Sequence, residues 1–316
     1  MRTHASLLVN PASGDGSPSA DELAAAARER GVEVHLLEKE DDPGELARAS
    51  GAEVVGIAGG DGSLSAVAAA ALETDAAFVC IPFGTRNHFA RDIGLDRDDP
   101  LAALAAFDDD ALERRIDVGR VGDRLFVNNV SLGVYAGLVH RRERRRRRGE
   151  ALARLRALGA VAHHRHHLHV RVNGEPISAR VLLIGNNAYD LSLFTLGERA
   201  RLDAGELHLW SAGGWLPTAW EDHVAAEFRI ELPDAHVRAA VDGEPELFEP
   251  PLVFTSLPGA LRVRIPNTGG DEMHDNPRAT EEEQEQAQTD RQDEEESMRY
   301  PSDAQPDAPS EGDAEK

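Results

Sequence analysis

This chain of 316 residues has one cysteine, two lysines, few aromatic residues and no long apolar run. Cys80 cannot form an internal disulfide, and its place in Ala77-Phe78-Val79-Cys80-Ile81 reads as a buried structural thiol rather than a reactive one. No stretch approaches the ~18 consecutive apolar residues of a spanning helix, and Met1-Arg2-Thr3-His4 leads directly into a strand; a cytoplasmic location is expected. Lysine occurs only as Lys39 and Lys316, so arginine supplies nearly all the positive charge against 57 acidic residues, for a net charge of -23. That balance excludes a general nucleic-acid binder, which needs clustered basic side chains to neutralise phosphates. An acid-rich, lysine-poor surface fits solubility in high salt, although the Arg and Ala bias of a GC-rich genome gives a similar composition.

The length sets a prior of about two domains, and the apolar pattern divides accordingly. Strands are read at Ala5-Val9, Val32-Leu37, Val54-Ala58 and Ala77-Pro82, and helices at Glu22-Arg30, Pro43-Ser50, Leu64-Leu72 and from about His88. Strands apolar throughout and alternating with helices imply a parallel sheet covered on both faces. After Ile116-Asp117 the pattern turns to short β runs with hairpin cues at Asn173-Gly174 and Asp242-Gly243. The fold expected is therefore α/β plus all-β: a doubly wound, Rossmann-like parallel sheet over 1–118, then an antiparallel β-sandwich over 119–266 with one helical insertion near 145–158. Residues 267–316 hold seventeen acidic and four basic residues, -13 of the net charge, and read as a disordered, solvating tail.

Three loops carry the chemistry: Asn10-Pro11-Ala12-Ser13-Gly14, Gly59-Gly60-Asp61-Gly62-Ser63 and Gly84-Thr85-Arg86-Asn87-His88. Each follows an apolar strand and precedes a helix, so each presents backbone N–H groups at the carboxyl edge of the sheet, where phosphate binds. Any one of them alone is an ordinary βα turn; three at one edge indicate a nucleotide crevice. None spells Gly-x-Gly-x-x-Gly, which makes a dehydrogenase the weakest contender.

The order Asn-Pro-x-Ser-Gly, Gly-Gly-Asp-Gly-Ser and Pro-x-Gly-Thr-x-Asn, with Phe89-Ala90-Arg91 following, resembles the diacylglycerol kinase catalytic family. That family includes soluble bacterial lipid kinases and sphingosine kinases and is a distant relative of NAD kinases. Ile116-Asp117-Val118-Gly119, Asn129-Val130-Ser131-Leu132-Gly133, Leu202-Asp203-Ala204-Gly205-Glu206-Leu207 and Val241-Asp242-Gly243-Glu244 fall in the family's order too.

The resemblance implies ATP- and magnesium-dependent transfer of a phosphoryl group to a lipid hydroxyl, in phospholipid metabolism, by an enzyme that meets the membrane transiently. It implies that Asn10, Ser13, Gly59, Gly60, Asp61, Gly62, Ser63, Thr85 and Asn87 hold the nucleotide. Asp61 is the carboxylate expected beside magnesium, with Asp117 and Asp203 joining a second, water-mediated metal network. Asp242 is expected to accept the acceptor hydroxyl's proton, with Glu244 as helper or second metal contact. Two positions depart from the family pattern: His88 after Asn87, and Ser65-Ala66 in place of a common Asn-Glu. Arg144–Arg148 reads either as a solvated helix face or as a patch docking on anionic lipid. His163–His167 reads as a poor metal tract, and Trp210, Trp215 and Trp220 as sandwich core or rim. Competing functions are a NAD kinase-like enzyme with a soluble acceptor and a non-catalytic lipid- or nucleotide-binding module; a homodimer is left open.

Overall fold

The computed structural model describes residues 3–14, 17–84, 87–133, 168–189, 199–212 and 221–267. The sequence-expected helix near 145–158, the Arg144–Arg148 patch, the His163–His167 tract, Thr85, Trp215, Trp220 and residues 268–316 of the acidic tail lie outside them.

The first lobe alternates as the apolar pattern requires: β1 (Ala5–Val9), α1 (Ala20–Glu29), β2 (Glu33–Leu36), α2 (Pro43–Ser50), β3 (Val54–Gly59), α3 (Asp61–Thr74), β4 (Ala77–Pro82) and α4 (His88–Asp92). α5 (Pro100–Ala103) and a 3₁₀ turn follow. The helices stop and start on local chemistry. Ser19 caps α1 in a reciprocal capping box with Glu22, which starts the helix two residues before the expected Glu22. Asp42 caps α2 ahead of Pro43, and Gly51 at φ 59° ends it in the left-handed region that favours glycine. The strand order β2-β1-β3-β4 is parallel. Alternate side chains feed two cores: Leu8, Ile57, Phe78 and Cys80 on one face, Leu7, Val9, Val79 and Ile81 on the other. Cys80 is buried, as its apolar run requires.

The second lobe is a sandwich. β7 (Asn129–Gly133), β10 (Val181–Asn186), β11 (Leu207–Ala212), β12 (Glu221–Ala225), β14 (Val237–Val241) and β15 (Glu244–Phe248) form one antiparallel sheet in the order β12-β11-β10-β7-β14-β15. Facing it are β5 (Leu112–Val121), β6 (Arg124–Phe126), β8 (Leu168–Val172), β9 (Glu175–Ala179), β13 (Glu227–Glu231) and β16 (Leu252–Ile265). Phe126, Leu132, Ile184, Leu209, Phe228 and Phe254 from the two sheets close one core between them. Both expected hairpins have paired left-handed turn residues: Asn173 and Gly174 at φ 51° and 88°, Asp242 and Gly243 at φ 46° and 88°.

The two lobes share strands, which the sequence reading did not anticipate. β16 pairs with β13 through Leu252–Thr255, irregularly passes Pro258-Gly259-Ala260, and then pairs with β4 through Val263 and Arg264. β5 accompanies it along both halves. The alternation in 252–265 identifies a strand but not its partners, so the return of the chain to the first sheet has no local signal. One continuous sheet thus runs through both lobes.

Candidate active site

The three glycine-bearing loops meet where the sequence places them, at the carboxyl ends of β1, β3 and β4. A Cβ added to Gly60 would lie 3.9 Å from Ser13 Oγ, and one on Gly84 would lie 3.1 Å from Gly60 Cα and 3.2 Å from the Gly59 carbonyl oxygen. Each loop is braced internally: Asn10 Oδ1 accepts from the Ala12 N–H at 3.0 Å, Ser63 Oγ donates to the Gly60 carbonyl at 2.9 Å, and Asn87 Oδ1 accepts from the Gly84 N–H at 2.9 Å. Asn87 holds φ 35° to close that turn into α4. Gly84→Ala would press a methyl onto backbone that cannot swing aside. It should weaken binding of an ATP analogue by about tenfold, about 1.4 kcal/mol, and lower the melting temperature, since overpacking costs about 1–3 kcal/mol; titration calorimetry beside a melt reads both.

Asp61-Gly62-Ser63 belongs to the first turn of α3, three residues before the expected helix start at Leu64. Glycine and polar residues lower helix propensity and so read as loop, yet here they are the helix end itself. Gly60 caps α3 with no side-chain hydrogen bond, leaving the first N–H groups of a fourteen-residue helix directed at the crevice. A Cβ on Gly62 would collide with the carboxylate of Glu244, so the exposed Glu244 stands directly over this helix end.

Asp242 has a different setting. It is 6% exposed, and its Oδ1 accepts from the N–H groups of Asn128 at 2.8 Å and Asn129 at 3.0 Å. Its Oδ2 accepts from the Val127 N–H at 2.9 Å and the Ser65 hydroxyl at 2.5 Å. Burial pushes its pKa above the usual carboxylate range, and the Ser65 and backbone hydrogen bonds pull against that rise. Ser65, one of the two departures from the family pattern, thus ties α3 to the turn before β15. Ser65→Ala should cost about 1.5–3 kcal/mol of stability, the range for a hydrogen bond to a charged group, and raise the Asp242 pKa further; a denaturant melt and a carboxyl NMR titration read the two effects.

Of the carboxylates expected to hold metal, Asp117 and Asp203 have different settings. Asp117 is buried, its Oδ2 accepting from the Gly205 N–H at 2.6 Å and its Oδ1 from the Gly259 N–H at 2.8 Å, so it pins the 202–205 turn to the irregular step in β16. Asp203 is exposed and pairs with Arg201 at 3.0 Å. Among the described residues no group of three or more His, Cys, Asp or Glu side chains is placed to hold a metal ion.

Sequence reasoning missed Arg199, which is fully buried and hydrogen-bonds Asp92 Oδ2 at 2.8 Å, the Val127 carbonyl at 2.6 Å and Asn128 Oδ1 at 2.9 Å. Its guanidinium lies 5.1 Å from the centre of the Tyr189 ring, whose hydroxyl burial pushes up to about 12. Nothing in the local sequence separates Arg199 from Arg201, which is exposed. Trp210 is buried, stacked on His208 and edge-on to Tyr189, on the face of β11 opposite Leu207 and Leu209 of the sandwich core.

Residues 4–121 match the model of the diacylglycerol kinase catalytic domain. A protein of Klebsiella pneumoniae described as a probable lipid kinase, YegS-like, is 27% identical over 297 residues, spanning 83% of this chain and 96% of that relative. One of Pseudomonas aeruginosa with the same description is 36% identical over 134 residues, 40% of this chain and 43% of that relative. A crystal structure described as a diacylglycerol kinase from Bacillus anthracis shares the fold with a TM-score of 0.62 at 15% identity, over 84% of this chain and 98% of that one.

Proposed function

We propose that this chain is a kinase related to the diacylglycerol kinase catalytic family, whose model matches residues 4–121, and that it transfers the γ-phosphoryl group of ATP to the hydroxyl of a lipid. The lipid acceptor follows from the descriptions of relatives that match along most of this chain. The observation that carries the proposal is the meeting of the uncapped α3 N-terminus with Glu244 over Gly62. One point of the crevice then offers both N–H donors for a phosphate and a carboxylate for a proton.

In this reading Asn10, Ser13, Gly59, Gly60, Gly62, Ser63 and Asn87 shape the phosphate cradle, completed by Asp61 and Thr85. Magnesium, if bound with the ATP phosphates, would neutralise their charge, with Asp61 the carboxylate that would stand beside it. The acceptor oxygen forms its bond to the γ-phosphorus as the bond from that phosphorus to the β–γ bridging oxygen breaks, and ADP leaves. The roles of the two carboxylates are the reverse of those the resemblance implies. Asp242 already accepts four hydrogen bonds, so it suits holding the turn. Glu244, exposed and two residues on, suits taking the hydroxyl proton, because a general base must come within about 3 Å of its donor.

Among the described residues no helix is long and apolar enough to cross a membrane, so the lipid would be met at the bilayer surface. γ-Labelled ATP supplied with a total lipid extract, with NAD, or with no acceptor separates the functions. Label in the organic phase is expected; label on NAD selects the soluble-acceptor kinase, and no transfer selects a binding module.

A further inference from the structure

Asp92 and Arg199 form an ion pair whose side chains are 2% and 0% exposed, at the junction of the two lobes. Such a pair offsets its desolvation only when the remaining polar atoms are also bonded; here Arg91 donates to Asp92 Oδ1 at 3.0 Å, and the bonds of Arg199 reach three segments, α4, 127–128 and Asn186. Asp92 ends α4, the five-residue helix that Asn87 begins at the third nucleotide loop. The Arg199 Nη1 donates to the carbonyls of Val127 and, at 3.2 Å, Asn186, and its Nη2 donates to the Asn128 side chain. Val127, Asn128 and Asn129 are the residues whose N–H groups grip Asp242. That short segment is held from both sides: Asp242 takes its N–H groups, while Arg199 takes its Val127 carbonyl and its Asn128 side chain.

We infer that Arg199 is a positioning residue that transmits the placement of the third nucleotide loop, through Asp92, to the 127–129 segment and so to the turn carrying Glu244. The inference rests on the kinase reading above. α4 is too short to absorb a shift of Asn87, so a displacement of the loop by nucleotide moves Asp92 with it. A planar guanidinium with donors in fixed directions can tie three segments at once, whereas a lysine ammonium at the same place keeps the charge and loses the fork. Bound nucleotide should therefore tighten the proton-accepting side of the crevice as well as the loops that touch it.

Amide hydrogen exchange tests this on the full chain, with and without a non-hydrolysable ATP analogue and magnesium. In the parent chain the analogue should slow exchange at 59–64 and also at 127–129. In Asp92→Asn the slowing at 59–64 should persist while that at 127–129 disappears, and kcat should fall about tenfold, within the range of typical coupling between sites, with KM for ATP nearly unchanged. Arg199→Lys, which retains the buried charge, should do the same and stands in if Asp92→Asn does not fold. A response at 127–129 as large in either variant as in the parent overturns the inference. No slowing at 59–64 in the parent overturns the ATP reading itself, and the coupling with it.

Discussion

Glu244→Gln should lower the rate of phosphoryl transfer by about 10²- to 10⁴-fold, the contribution of a positioned general base, while leaving the melting temperature where it is. The side chain is exposed, its hydrogen-bonding shape survives the substitution, and only its capacity to hold a proton is lost. Binding of an ATP analogue should hold or strengthen, because a neutral amide over the α3 N-terminus repels phosphate less than a carboxylate does. An effect on kcat with KM for ATP preserved assigns the residue to the transition state rather than to binding. Equal losses of stability and activity would instead make Glu244 a structural member of the turn.

Asp242→Ala should do the opposite in kind, removing about 3–5 kcal/mol of stability along with activity. Three N–H groups, of Val127, Asn128 and Asn129, lose their acceptor in a buried setting, each at a cost of about 1–3 kcal/mol, which water entering the cavity partly offsets. Against a typical margin of about 5–15 kcal/mol, that is enough to shift a denaturant midpoint strongly. The Asp242 titration has its own sign. Its folded-state pKa lies above the unfolded value, so the stability linked to its protonated form is complete below the unfolded pKa and is lost as the pH rises through the folded one. Asp242→Asn should abolish that part of the pH dependence, which parallel denaturant melts across the acidic range measure.

The parallel lobe was legible because its elements declare themselves locally: apolar runs, a capping box at Ser19, Pro43 behind Asp42 and glycines at the loop edges. The two Asx-Gly hairpins were legible for the same reason. What escaped was long-range. The last strand pairs with β4, nearly two hundred residues earlier, and a buried arginine finds partners on α4 and on the β6–β7 connection. Alternating burial says that a strand has two faces, and nothing in it says which edge it joins. Within the site, the three loops and the Asp242 turn were readable from spacing. The different exposure of Asp242 and Glu244 was not, because two residues of one turn differ in accessibility only once the 127–129 segment closes over the first of them.

We propose that the loops hold ATP and that Glu244 accepts the proton as the phosphoryl group passes to a lipid. A single-turnover reaction with γ-labelled ATP, magnesium and vesicles made from a total lipid extract, run side by side with the parent chain and Glu244→Gln, tests it most directly. Label should appear in a lipid product with the parent chain and at least a hundredfold slower with the variant, both proteins binding the nucleotide. Lipid labelling at the same rate by both, or no labelled lipid from a parent chain that binds ATP, would contradict it.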